Sequence, residues 1–257
     1  MEAKELVRSM RLLGGLSQVD LANLAGVAAS TISRVERGSL DPTWSIMSRL
    51  LDSAGYRQVG DLTSLGDNAA VAAARIALGE TIDARLDDAR VNGWLERWKK
   101  ACFIDETERV RDIEKLGAQA GIASRIFDRP NERQSVVYDR PWQDIVAALA
   151  SSGVRYAVSG ITATSPTRTR DGAAWPLIYV DSVPQALQTA DLRPQETAGP
   201  RVTLMSFDGV AASGIVDEDG IAFVSPGQAL IDSYAGPGRM ADLADAVASR
   251  WLAGVAA

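Results

Sequence analysis

The stretch Leu16-Ser17-Gln18-Val19-Asp20-Leu21-Ala22-Asn23-Leu24-Ala25-Gly26-Val27-Ala28-Ala29-Ser30-Thr31-Ile32-Ser33-Arg34-Val35-Glu36-Arg37-Gly38 decides the fold of the N-terminal part of this chain. Ser17 is a good N-cap, because its hydroxyl oxygen can accept from a free N–H of a helix start, and Asp20 sets an acid in the first turn. Ala22 is small where a second helix must cross closely. Gly26 stands where a tight turn between helices needs a positive φ. Residues 28–37 then read as a further helix with Ile32 and Val35 inward, closed by Gly38. Outward on the N-terminal side, residues 2–13 place Leu6, Met10 and Leu13 at i, i+4, i+7, and Gly14 and Gly15 stop that helix. On the other side Pro42 and Thr43 open a fourth helix, with Ile46, Leu50 and Leu51 as its buried face.

This string resembles the Cro/cI (XRE-type) repressor family of helix-turn-helix domains, over residues 1–57 of the 257. One departure is Ala28, where the family has a Ser or Thr cap; its loss costs about 1 kcal/mol of helix stability. The resemblance implies a double-stranded DNA operator as partner, with the third helix in the major groove. Its exposed residues Ala29, Ser30, Ser33 and Arg34 would reach base edges. Arg34 suits a bidentate guanine contact and Ala29 a thymine methyl. Gln18, Thr31, Arg37 and Ser39 would hold phosphates, which fixes register without reading sequence. The competing reading pairs Arg34 and Arg37 with Glu36 as a plain solvated surface. One such module buries little, so a homodimer on two half-sites is expected.

Composition narrows the chemistry. There is no histidine, which excludes Ser-His-Asp, Cys-His and HExxH machinery. One cysteine, Cys102, excludes an internal disulfide framework or a Cys/His zinc site and fits a cytoplasmic location. No apolar run is long enough for a membrane span, and the N-terminus lacks the apolar core of a signal peptide. The net charge of −6 is unevenly spread. Residues 1–57 hold seven Lys/Arg against six Asp/Glu, whereas residues 141–257 hold seven against twelve. A near-neutral N-terminal module can bind DNA, because the position of its cations matters more than their total.

The middle of the chain, 67–140, reads as helical. Residues 69–100 suggest one long helix, carrying Ile76, Leu78, Ile82 and Leu86. Trp94 and Trp98, at i, i+4 beside Arg97, Lys99 and Lys100, read as core in preference to a second DNA contact. A second helix is expected over 105–121, ending at Gly121. The arginine- and proline-containing segment 123–140 reads as a connection or a wing-like hairpin. Cys102 is expected to pack quietly.

From Trp142 the pattern alternates. Helices are expected over 142–152, from Ser225-Pro226 to Tyr234, and over 240–252 after the Pro237-Gly238 break. Strands are expected over 154–158, 177–180, 202–206 and 221–224, the last following an Asp219-Gly220 turn. This is an α/β or α+β domain. The chain is therefore multidomain: an all-α helix-turn-helix domain (1–66), a helical middle (67–140) and an α/β domain (141–257).

The helix followed by Gly153-Val154-Arg155-Tyr156-Ala157-Val158-Ser159-Gly160 resembles the opening of a nucleotidyltransferase-like fold. Active members of that fold carry two carboxylates, one residue apart, on the next strand to bind magnesium. Here Ile178-Tyr179-Val180-Asp181-Ser182 offers Asp181 alone, so no catalytic residue, metal or cofactor is expected. The stretch from Asp219 to Asp232, with Gly236-Pro237-Gly238-Arg239 after it, is similar to the C-terminal domain of type IV antitoxins of the abortive-infection class. That resemblance implies a cognate nucleotidyltransferase toxin as a protein partner. The usual N-terminal piece of that family is a winged helix, and this chain departs from it. The sequence thus points to a DNA-binding autorepressor and antitoxin. The alternatives are a repressor that binds a small molecule near Ser159-Gly160, and a nucleotidyltransferase enzyme.

Overall fold

The computed structural model describes residues 2–59, 61–138, 140–165, 168, 175–193, 201–237 and 240–255. The chain forms two compact units, neither of them continuous. The first comprises Met1–Glu80, Leu86–Arg129 and Tyr234–Ala257; the second comprises Thr81–Arg85 and Pro130–Ser233.

The first unit opens with α1 (Ala3–Leu13), α2 (Gln18–Ala25), α3 (Ala29–Glu36) and α4 (Trp44–Ser53). Local chemistry sets their boundaries. At α2, the Asp20 N–H donates to Ser17 Oγ (3.1 Å) and the Ser17 N–H to Asp20 Oδ2 (2.9 Å), a reciprocal capping box. Gly26, at φ 64°, ends α2 in the left-handed region, as its position requires. Ala28 begins α3 with no side-chain cap, and Thr43 caps α4 by accepting from the Ile46 N–H.

The helices close on a core of Val7, Met10, Leu21, Ile32, Val35 and Leu50, all fully buried. The buried face of α1 differs from the expected one. Val7 and Met10 carry it, Leu6 is half-buried, and Leu13 is 67 % exposed because the chain turns away at Gly14. In α4, Met47 takes the buried place expected of Ile46, which is half-buried.

An antiparallel hairpin follows, β1 (Tyr56–Val59) and β2 (Asp61–Ser64), with Tyr56 opposite Ser64. Segment 123–140, read as a connection or a wing-like hairpin, forms no hairpin of its own among the described residues. That segment holds a 3-10 turn at Ile126–Asp128 and then β3 (Arg133–Val137), an edge strand of the second unit's sheet.

The single helix expected over 69–100 is two, α5 (Asn68–Ala77) and α6 (Asp88–Lys100). Gly79 at φ 86° stops the first, and Asp87 caps the second by accepting from the Arg90 N–H. Ile82 and Leu86 lie half-buried between them. Trp94 and Trp98 are core, 2 % and 0 % exposed, with ring centroids 5.5 Å apart. Trp94 Nε1 donates to the buried Asp67 Oδ2 at 3.0 Å, which gives the indole the polar partner it needs.

Cys102 corrects another expectation: it is exposed, at φ 61° in the turn that ends α6. The next helix, α7 (Ile113–Ala123), starts later than expected, because Asp105 Oδ1 accepts from the N–H groups of Thr107 and Arg109 and holds a turn there. Gly121 lies within α7 and does not terminate it. A Cβ at Gly121 would stand 2.5 Å from Tyr234 Cβ, and one at Gly117 would run into the Tyr234 ring. The glycines of α7 are seats for that side chain. The C-terminal α12 (Met240–Val255) packs against α7, and Tyr234 Oη donates to Asp245 Oδ1 at 2.8 Å. Burial first, and then the carboxylate of Asp245, push the Tyr234 hydroxyl pKa well up.

The second unit is a mixed sheet of order β3-β6-β5-β4-β8-β7, built from β4 (Tyr156–Ser159), β5 (Leu177–Val180), β6 (Arg201–Ser206), β7 (Val216–Glu218) and β8 (Ile221–Phe223) beside β3. The pairs β5·β6 and β4·β8 are parallel, and β3·β6, β4·β5 and β7·β8 antiparallel. Every residue of β4 and β5 is buried, as in strands covered on both faces. Helices α8 (Trp142–Ser151), α9 (Gly160–Thr164), α10 (Val183–Thr189) and α11 (Pro226–Ala235) connect or flank them. Mixed α/β content agrees with the expectation; β3, β7, α9 and α10 were not anticipated. At the sheet's centre Asp232, fully buried, accepts from Ser159 Oγ (2.5 Å), Tyr179 Oη (3.1 Å) and Gln228 Nε2 (3.1 Å). Gly238 and Arg239 lie outside the described residues. Among the described residues no helix is long and apolar enough to cross a membrane.

Candidate nucleic-acid interface

Helix α3 presents two unlike faces. Ile32 and Val35 are fully buried against the other helices. Ser30, Ser33, Arg34 and Arg37 follow the i, i+3, i+4, i+7 spacing of a single helical face. Of these, Ser30, Arg34 and Arg37 are exposed and Ser33 half-buried; Ala29 and Thr31 are half-buried, and Ser39 just beyond the helix is exposed. The structure therefore gathers seven of the eight expected contact residues onto α3 and its C-terminal end.

Glu36 does not pair with Arg34 or Arg37. Its carboxylate is taken by Arg11 of α1, with Nε 2.5 Å from Oε1 and Nη2 3.0 Å from Oε2. This two-pronged geometry is the strong form of a charged hydrogen bond. Gln18 Nε2 donates to the same carboxylate at 2.8 Å, and Arg11 Nη1 donates to the Leu16 carbonyl at 3.0 Å. One carboxylate therefore ties α1, α2 and α3 together. Burial pushes the Glu36 carboxyl up, but hydrogen bonds from Arg11 and Gln18 and the charges of Arg11 and Arg8 outweigh it and hold it below its ordinary 4.5.

With Glu36 committed, the Arg34 guanidinium has no hydrogen bond or ion pair among the described residues. Arg37 Nε donates to the Ser33 carbonyl (3.1 Å) and Ser39 Oγ to the Arg34 carbonyl (3.1 Å), which stiffens the end of α3. Gln18 stands at the first turn of α2, apart from the rest. Its amide carries two donor hydrogens, and the bond to Glu36 uses one. The arrangement offers a free guanidinium flanked by small hydroxyl side chains on a helix held rigidly from behind. That is the equipment for entering a groove and meeting acceptor atoms. Asp20, at the back of α2, is linked to Lys115 of α7 at 3.2 Å.

Sequence reasoning missed the Arg11–Glu36–Gln18 network, whose members lie too far apart in sequence for helical spacing to reveal. It also passed over Trp44, 66 % exposed at the first turn of α4. An exposed tryptophan beside a helix N-cap was the available signal. In the second unit, Asp181 is exposed, with Arg155 Nη1 4.0 Å from its carboxylate.

Residues 5–61 match the family described as a helix-turn-helix domain. Neither curated proteins nor solved structures give a significant match to the chain. The N-terminal part is thus a helix-turn-helix DNA-binding domain, and the chain has the character of a DNA-binding transcriptional regulator.

Proposed function

We propose that this protein is a sequence-specific repressor that binds, as a homodimer, an operator upstream of its own gene. The observation that carries the reading is the outer face of α3, where Arg34 is exposed and unpaired because Glu36 is bound to Arg11. In this reading Arg34 takes a guanine, Ala29, Ser30 and Ser33 contact neighbouring bases, and Gln18, Thr31, Arg37 and Ser39 hold phosphates. The protein acts by occupancy, not by catalysis. Two half-sites about one helical turn apart let two modest modules reach a useful affinity.

The finer role is that of an antitoxin whose second unit engages a toxin encoded beside it. Two features support it. The sequence layout of strand, Ser225-Pro226 and helix is realised as β8 followed by α11. The acidic balance of residues 141–257 suits a basic partner.

The test is a footprint of the purified protein on DNA upstream of its gene at physiological salt. Protection of paired half-sites is the expected result. Salt-sensitive binding without a protected sequence overturns the operator reading. Co-expression with the neighbouring gene products then tests the antitoxin role: rescue of growth that depends on residues 130–233 is expected, and its absence removes that role alone.

A further inference from the structure

A surface groove of about 360 Å³ lies between α4 and β1, lined by Trp44, Ser48, Arg49, Asp52, Tyr56 and Arg57. Its volume is within the range of small-molecule sites. The α4 residues 44, 48 and 52 recur every fourth position, so they share one helical face. None of the groove residues is among those assigned to DNA.

Its chemistry is specific. Trp44 is 66 % exposed, a large apolar ring left in water where a soluble surface ordinarily covers one. Arg49 and Arg57 are both exposed, and among the described residues neither has an ion pair or a side-chain hydrogen bond. The carboxylate in the groove, Asp52, is already paired with Arg97 at 3.1 Å, so it does not neutralise them. Tyr56 is 6 % exposed, and its hydroxyl has no hydrogen-bond partner. The groove thus combines a flat aromatic platform and two uncommitted guanidinium groups above the buried Tyr56 ring.

We propose that this groove is a binding site for a small planar anion, with a purine nucleotide as the fitting chemical class: the base against Trp44, the phosphates on Arg49 and Arg57. Aromatic stacking tolerates any flat ring, and guanidinium groups match phosphate oxygens in a forked geometry. The site would make the DNA-binding unit responsive to a metabolite, through a helix that packs on α2.

Calorimetric titration of the full-length protein with AMP, ADP and inorganic pyrophosphate tests this. ADP is expected to bind saturably in the micromolar to low-millimolar range. Arg49→Gln and Arg57→Gln should each weaken both ADP and pyrophosphate by about tenfold, the change in equilibrium constant that 1.4 kcal/mol represents. Trp44→Ala should weaken ADP similarly and leave pyrophosphate unchanged. These are surface substitutions, and unchanged melting curves will show that each variant folds. No saturable heat from ADP overturns the proposal, as does binding indifferent to all three substitutions. Loss of operator affinity in the arginine variants, without nucleotide binding by the parent protein, also overturns it and assigns the groove to DNA phosphates. The result is independent of the footprint.

Discussion

Arg34 is set free by a residue two positions away. Glu36 could have neutralised it, but Arg11 holds Glu36 from the other side, and the consequence is measurable on DNA. Arg34→Ala should lower affinity for the operator by about 1–3 kcal/mol and leave random-sequence DNA nearly unaffected, in a competition binding assay. Equal losses on both would make it a phosphate contact. Glu36 itself predicts an acid sensitivity. Its folded pKa lies below the unfolded 4.5, so the stability it contributes is present above pH 4.5 and is lost as pH falls through the folded value. Asp20 adds to this from below its ordinary 3.8: burial raises its pKa, but the Ser17 hydrogen bonds and Lys115 more than offset the burial. Melting temperatures should therefore drop below about pH 4.5. Glu36→Gln should be less stable at pH 7, and the difference from the parent should narrow towards pH 3. A constant difference across that range would deny the carboxylate its role.

At the scale of elements, α7 tests whether close packing or helix propensity governs. Gly→Ala inside a helix ordinarily gains up to about 1 kcal/mol. Gly121→Ala should do the opposite and destabilise by about 1–3 kcal/mol, because the new methyl would stand 2.5 Å from Tyr234 Cβ. Chemical denaturation of the two proteins decides the sign. The same glycine shows why parts of the fold were not legible in the sequence. A glycine that ends a helix and one that admits a tyrosine look alike until the partner, more than a hundred positions away, is known. By contrast α2, α3 and α4 were legible because Ser17, Asp20, Gly26 and Thr43 act on neighbours within a few residues. The break between α5 and α6 was hidden because Ile82 and Leu86 continue a helical spacing across Gly79. Strand β7, three residues long with two acids, carried no apolar alternation to read. At the candidate site, which residues share the outer face of α3 was legible from the motif. The fact that Arg34 is free was not, since it depends on an ion pair between α1 and α3.

At the scale of the molecule, the chain leaves its first unit at Arg129 and re-enters it at Tyr234. The DNA-binding helices therefore share a unit with α12, which packs against α7 through buried Ala244, Val247 and Ala248 on its inner face. Ending the chain after Ala235 should cost the first unit about 2–4 kcal/mol of stability, given the apolar area lost. It should also lower its melting temperature, read by calorimetry on the full-length and shortened proteins. An unchanged transition would show that α12 is an appendage. This split arrangement also bears on how the protein is made. Domains ordinarily fold as they leave the ribosome, N-terminal parts first. Here α1 to α7 emerge early, yet the helix that completes their unit is translated only after all of residues 130–233. A nascent chain carries an exposed reading helix and an unfinished support for it. The first unit is therefore complete only once α12 has been translated, which delays its finished form behind the synthesis of the whole second unit.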